Sequence, residues 1–211
     1  MTADFDWRWF EEHAQHTTDW PSLLDRAADD GLLEVHPELD LRRVPQDPRW
    51  HPEGTVWVHL GLAAQAAAEA CDRDGVEGDD RTVAVLGALF HDLGKATHTF
   101  VSPDGRIRSL GHAEAGVAPA TAILERAGAP PRGITARITP CIREHMVHYS
   151  VRGEPSAKTV QRLIRRLRPA SLEDWARIVA ADSAGRGPGS RPSPATAWLA
   201  AAGRWAERAS R

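Results

Sequence analysis

A continuous apolar run, Val83 to Phe90, passes straight into His91-Asp92-Leu93-Gly94-Lys95. The run has the character of a buried helix. A buried helix does not ordinarily end in an imidazole beside a carboxylate, because a polar group left unpaired in apolar surroundings costs about 1–3 kcal/mol, and a charged one more. The doublet therefore needs partners from elsewhere in the chain. His59, His112, His145 and Asp182 each lie in or beside an apolar segment and are the candidates. They can meet the doublet only if several helices pack around a shared axis, as in bundles that hold metals between facing helices.

The rest of the chain fits that demand. Helical spacing of apolar residues predicts helices over Thr55 to Asp74, with His59 on the apolar face, Arg81 to Phe90, His112 to Ala127, Ala157 to Leu167 and Ala195 to Arg208. Ile134 to Tyr149 is a further helix that Pro140 must kink or split. Ser171 to Ala184 is helical and opens with a capping box, Ser171 with Asp174. Pro21 to Asp30 is a short helix stopped by Gly31. Leu41 to Gly54 holds three prolines and reads as an extended loop, and Gly75 to Asp80 as a polar turn. Thr99 to Leu110, with Pro-Asp-Gly at its centre, fits a small hairpin. The first twenty residues show no clear pattern but hold three of the eight tryptophans, read here as packing against the main body. The fold class is all-α, a helical bundle with at most one small hairpin. Residues 1–185 form a single domain with an N-terminal extension, and residues 186–211 a linker and terminal helix.

Composition narrows the function. At 211 residues the chain can bury a sizeable core, and its net charge of −3 with interspersed signs excludes a global polycation. The one basic stripe, Lys158 to Arg168, is a solvated helix face or a local RNA contact. Two distant cysteines, Cys71 and Cys141, make no disulfide framework and suggest a reducing cytoplasm. No leader or membrane-spanning segment is expected, nor an obligate protein partner.

The chemistry sits with the doublet. His59, His91, Asp92 and Asp182 make a mixed imidazole–carboxylate set that suits Mn, Fe, Co, Ni or Zn and not calcium. Scarce cysteines argue against a closed structural zinc, leaving an open site of the kind that activates water. His112 and His145 have two open roles: ligands of a second metal with Asp92 bridging, or direct contacts to substrate phosphate. His148, one turn beyond His145, is a further candidate phosphate donor. Lys95 is placed to touch phosphate or to pair with Asp92, and Gly94 allows close backbone approach. His112-Ala113-Glu114 followed by Pro140-Cys141 looks like the start of a zinc deaminase signature, but position 144 is Glu where a second cysteine is required. No HExxH, HxxEH, Walker, GxGxxG or GxSxG string is present.

At these residues the chain resembles the HD-domain phosphohydrolases, whose H…HD…D pattern falls on His59, His91-Asp92 and Asp182. The strings VPQDPRWHPEGTVWVH (44–59), ALFHDLGKATH (88–98), GHAEAG (111–116) and EHMVH (144–148) are similar to the HD domain of bacterial CCA-adding tRNA nucleotidyltransferases. The similarity extends over roughly residues 30 to 190. It implies metal-dependent 2′,3′-cyclic phosphodiesterase, 2′-nucleotidase and phosphatase activities. It also implies catalytic roles for His91, Asp92 and Lys95 and metal ligation by His59, His91, Asp92 and Asp182. Phosphate contacts then fall to Lys95, His112, His145 and Arg186. No nucleotidyltransferase head is visible, so CCA addition is not expected. The expected substrate is a nucleotide or RNA-end phosphate. The alternatives are a nucleotide or dinucleotide phosphohydrolase outside RNA repair, and a non-catalytic, metal-stabilised signalling or RNA-binding module.

Overall fold

The computed structural model describes residues 5–27, 30, 32–33, 40–187 and 192–209. The chain builds α1 (Trp7–His16), α2 (Trp20–Ala27), α3 (Val56–Asp74), α4 (Gly78–Phe90), the one-turn α5 (Lys95–His98), and a two-stranded antiparallel hairpin, β1 (Phe100–Val101) with β2 (Ile107–Arg108). It continues with the one-turn α6 (His112–Ala115), then α7 (Val117–Arg126), α8 (Ile134–Glu144), α9 (Ala157–Leu167), α10 (Leu172–Ala184) and α11 (Ala195–Ala209). The class is all-α, with the expected hairpin as its only sheet among the described residues. No described helix is long and apolar enough to cross a membrane.

The centre is α3 and α4, folded back on each other by a short turn opened by Gly75 in the left-handed region, with α10 packed on both and α8 on α4. Every residue from Thr82 to Phe90 is buried, which explains the uninterrupted apolar run. The unassigned N-terminus forms α1, whose Asp6 side chain accepts from the Trp9 backbone N–H. Its Phe10 meets Phe90 edge-on at 5.8 Å between centroids, and Trp20 is fully buried in the same core. The tryptophan-rich segment therefore does pack on the main body. A second core gathers α9, α10 and α11, where Trp175 and Trp198 meet edge to face at 5.5 Å.

Several boundaries differ from those expected. The helix placed at Arg81 begins at Gly78, because Asp79 and Asp80 favour the positive end of a helix dipole and extend the first turn. The segment His112 to Ala127 is two helices, broken at Gly116. Ile134 to Tyr149 is not one helix: α8 runs through Pro140 to Glu144, and Val147–Ser150 is a separate 3₁₀ turn. The helix at Pro21 begins at Trp20 and is helical to Ala27; residues 28, 29 and the stop at 31 lie outside the described residues. Leu41–Arg43 within the extended loop is a 3₁₀ turn. The linker expected after residue 185 is described only in part, residues 188–191 lying outside the described residues. The capping box forms as expected: Ser171 accepts from the Asp174 N–H at 3.0 Å, and Asp174 accepts from the Ser171 N–H at 2.9 Å.

Candidate metal centre

The fold brings three helix C-termini and one N-terminus to a single point. His91 and Asp92 follow the last residue of α4, and His145 follows the last residue of α8. Asp182 lies in the last turn of α10, and His59 in the first turn of α3. C-terminal helix ends carry partial negative charge, so their convergence favours a cation before any side chain is counted.

The side chains add two donor groups that share one carboxylate. Asp92 Oδ2 lies 3.2 Å from His91 Nε2 and 3.7 Å from His59 Nε2, and Asp182 Oδ1 lies 3.2 Å from His59 Nε2. Asp92 Oδ1 faces the other way, 3.1 Å from His112 Nε2 and 3.6 Å from His145 Nε2. His59, His91 and Asp92 form one set with metal-ligand spacing, and Asp92, His112 and His145 a second. His59 and His91 are wholly buried, whereas His112, His145 and Asp182 reach the wall of an open cavity.

Backbone contacts aim the imidazoles. His91 Nδ1 lies 2.7 Å from the Ala88 carbonyl, His145 Nδ1 2.7 Å from that of Ile142, and His112 Nδ1 2.5 Å from that of Ser109. A carbonyl can only accept, so each Nδ1 carries the proton and each Nε2 presents a lone pair to the centre. His91 Nε2, His59 Nε2 and Asp92 Oδ1 are buried and lack a well-formed hydrogen bond among the described residues. Such orphaned atoms converging on one point fit a divalent cation. Burial works against the Asp92 carboxylate, but His91 and Lys95 hold it well below the usual carboxylate range. Burial likewise opposes Asp182, and the neighbouring His59, His91 and Arg186 side chains keep it low. His59 is pushed down by burial and, more strongly, up by Asp182 and Glu53, so its pKa rises. A proton held there stands where an ion would act. His145 is lowered, chiefly by burial.

Three participants were not singled out from the sequence: Gln46, His51 and Glu53. Glu53 Oε1 lies 2.7 Å from His59 Nδ1 and 2.8 Å from His51 Nδ1, so one buried carboxylate orients an imidazole of the first donor group and a cavity imidazole together. Burial would raise its pKa, but the two histidine hydrogen bonds bring it down to about 2. Lys95 Nζ donates to Gln46 Oε1 at 2.7 Å and lies 2.6 Å from Asp92 Oδ2. The ion pair with Asp92 is thus present, and Lys95 also lines the cavity. The signal for these residues was the loop string itself, which held a His, a Glu and a Gln but no periodicity to say which way they point. Replacing Glu53 with Gln should weaken binding of Mn by about tenfold, the lower end for lost outer-shell partners. Equilibrium dialysis with elemental analysis measures it, and unchanged affinity would reject the orienting role.

The remaining expectations separate. Arg186 lines the cavity, with Nη2 2.7 and 3.0 Å from the two Asp182 oxygens. His148 donates from Nδ1 to the His145 carbonyl at 2.9 Å and does not line the cavity. On α9, Val160, Leu163 and Leu167 are buried, while Lys158, Arg162, Arg165 and Arg166 face outward, with Arg166 paired to Glu144 at 2.8 Å. The cavity has a volume of about 300 Å³, room for a small ligand and not for folded nucleic acid.

The HD-domain family model matches residues 56–181. A multifunctional CCA protein of Xanthomonas oryzae pv. oryzae is 32% identical over 185 residues, covering 84% of this chain and 42% of that protein. One of Halorhodospira halophila is 36% identical over 164 residues, 74% of this chain and 36% of that protein. One of Acinetobacter baumannii is 31% identical over 176 residues, 80% of this chain and 39% of that protein. The chain spans about two fifths of the length of these relatives. The matched span runs from the start of α3, which carries His59, through His91-Asp92 and His145 into the last turn of α10, more than half of the chain, and so the chain belongs to the HD-domain family, a family of metal-dependent phosphohydrolases.

Proposed function

We propose that the protein hydrolyses phosphate esters of nucleotides or RNA ends, acting as a 2′,3′-cyclic phosphodiesterase, 2′-nucleotidase and phosphatase. The observation that carries this reading is the division of Asp92 between two histidine groups at a cavity wall that also holds Lys95 and Arg186. When bound, one or two divalent transition ions would supply an activated water and neutralise charge at phosphorus. The protein's own groups do the rest. The Lys95 ammonium stands where a phosphate oxygen entering the cavity meets a cation. Arg186, held by Asp182, offers its remaining N–H groups to the same oxygens. His112 and His145 face the entering phosphate with Nε2, as ligands when the rings are neutral or as direct hydrogen-bond donors when they are protonated. Similarity to proteins named for multifunctional CCA chemistry supports a ribonucleotide substrate.

A single panel tests this. Chelated protein should be inert toward adenosine 2′,3′-cyclic phosphate and 2′-AMP, and Mn, Co or Ni should restore turnover. Because few phosphates are engaged, the rate should depend weakly on salt. Rapid hydrolysis of 5′-nucleotides or deoxynucleoside triphosphates, with every 2′,3′-cyclic and 2′-phosphate ignored, would replace the reading by a nucleotide phosphohydrolase outside RNA repair. Full activity in excess chelator with no metal present would reject metal dependence.

A further inference from the structure

The cavity has a rim as well as a polar wall, and the rim is aromatic. Trp50, from the loop between the Leu41–Arg43 turn and α3, lines it and is 48% exposed. Tyr149, in the 3₁₀ turn after α8 and the only tyrosine of the chain, lines it and is 60% exposed. Large aromatics elsewhere in the chain mostly serve the core: Phe10, Trp20, Phe90 and Trp175 are at most 1% exposed. Trp50 and Tyr149 instead line one cavity, each with about half of its surface or more exposed.

The structure also holds both in place. The Tyr149 ring lies against His148 with centroids 4.1 Å apart, and its hydroxyl lies near the Arg186 guanidinium. Asp47, three residues before Trp50, pairs with Arg106 of the hairpin at 3.5 Å and accepts from Arg49. That ties the Trp50 loop to a second rim element.

A phosphate at the histidine–carboxylate wall leaves its ester group pointing outward to this rim. We propose that Trp50 and Tyr149 form a nucleobase subsite, stacking on the base of a nucleotide whose phosphate lies at the Asp92 centre. The subsite rests on the function proposed above and adds to it a place for the base of the nucleotide. Stacking reads the π-face that every base has, so it favours nucleosides without selecting sequence.

The test compares adenosine 2′,3′-cyclic phosphate with glycerol 1,2-cyclic phosphate, which has no base, using Mn-loaded protein. Wild type should prefer the nucleoside by at least ~10-fold in kcat/KM, mostly through KM, the effect expected of base–aromatic stacking. Trp50→Ala and Tyr149→Ala should each lower that preference by ~5-fold or more, and Tyr149→Phe, which keeps the ring, should retain it. An unchanged preference in both alanine variants overturns the subsite. So does a Tyr149→Phe loss as large as that of Tyr149→Ala, which would assign the effect to the hydroxyl on Arg186. If wild type hydrolyses neither ester, the proposed function fails, and calorimetry reads the subsite alone: 2′-AMP should bind more tightly than glycerol 2-phosphate, and more weakly to the alanine variants. Equal affinities overturn it.

Discussion

Asp92→Asn should lower activity by about a hundredfold or more while leaving the helical fold intact. Among the described residues, Asp92 is the carboxylate common to both histidine groups. Its Oδ2 looks toward His91, His59 and Lys95, and its Oδ1 toward His112 and His145. An asparagine of the same shape keeps one acceptor and replaces the other with an N–H donor. Whichever way the amide turns, the side chain is neutral, its NH₂ replaces one carboxylate oxygen facing either Lys95 or the His112–His145 pair, and both donor groups lose the anionic charge they share. Lys95, 7% exposed, also loses its ion-pair partner, so the variant should melt at a lower temperature. Steady-state kinetics, elemental analysis and circular dichroism on one preparation decide the matter. Near wild-type rate and metal content would remove Asp92 from the centre.

Gly94→Ala should be the most disruptive change of a single methyl group. The backbone of Gly94 is right-handed helical, φ −65°, so an alanine meets no torsional penalty. The obstacle is space: a Cβ would lie 2.1 Å from the His112 carbonyl oxygen and 2.5 Å from the Gly116 nitrogen. Both are backbone atoms, joined by a 2.8 Å hydrogen bond that caps α6, so neither can rotate away. Relief requires moving α6, and with it His112, off the Asp92 centre. Overpacking of this kind costs about 3 kcal/mol or more. Thermal or urea denaturation measures it, and loss of second-site metal binding should accompany it. Gly105→Ala makes the contrast. There φ is +77° and nothing lies within 4 Å, so the cost is torsional, about 1–2 kcal/mol, and the centre should be untouched. Equal stability of the Gly94 variant and wild type would reject the close approach.

The helical class and the members of the centre were legible because each leaves a local mark. The run Val83–Phe90 is apolar on every side because α4 is covered on every side. His59, His91, Asp92, His112, His145 and Asp182 were visible as polar groups set against apolar segments, where only a shared partner makes them tolerable. Ser171 and Asp174 announced a helix start that depends on neighbours three residues apart. The end of α8 at Glu144 left no such mark, since no glycine or proline stands there. The helix stops where the Trp175 indole donates to the Glu144 carbonyl at 2.9 Å, from a residue 31 positions away. Glu53, His51 and Gln46 were hidden for the same reason: a proline-rich loop has no period, and its direction is set by what it packs against. The division of Asp92 between two histidine groups belongs to the fold as well. A carboxylate in a string has two equivalent oxygens, and they become different only when α3 and α4 close on one side of it and α6 and α8 on the other.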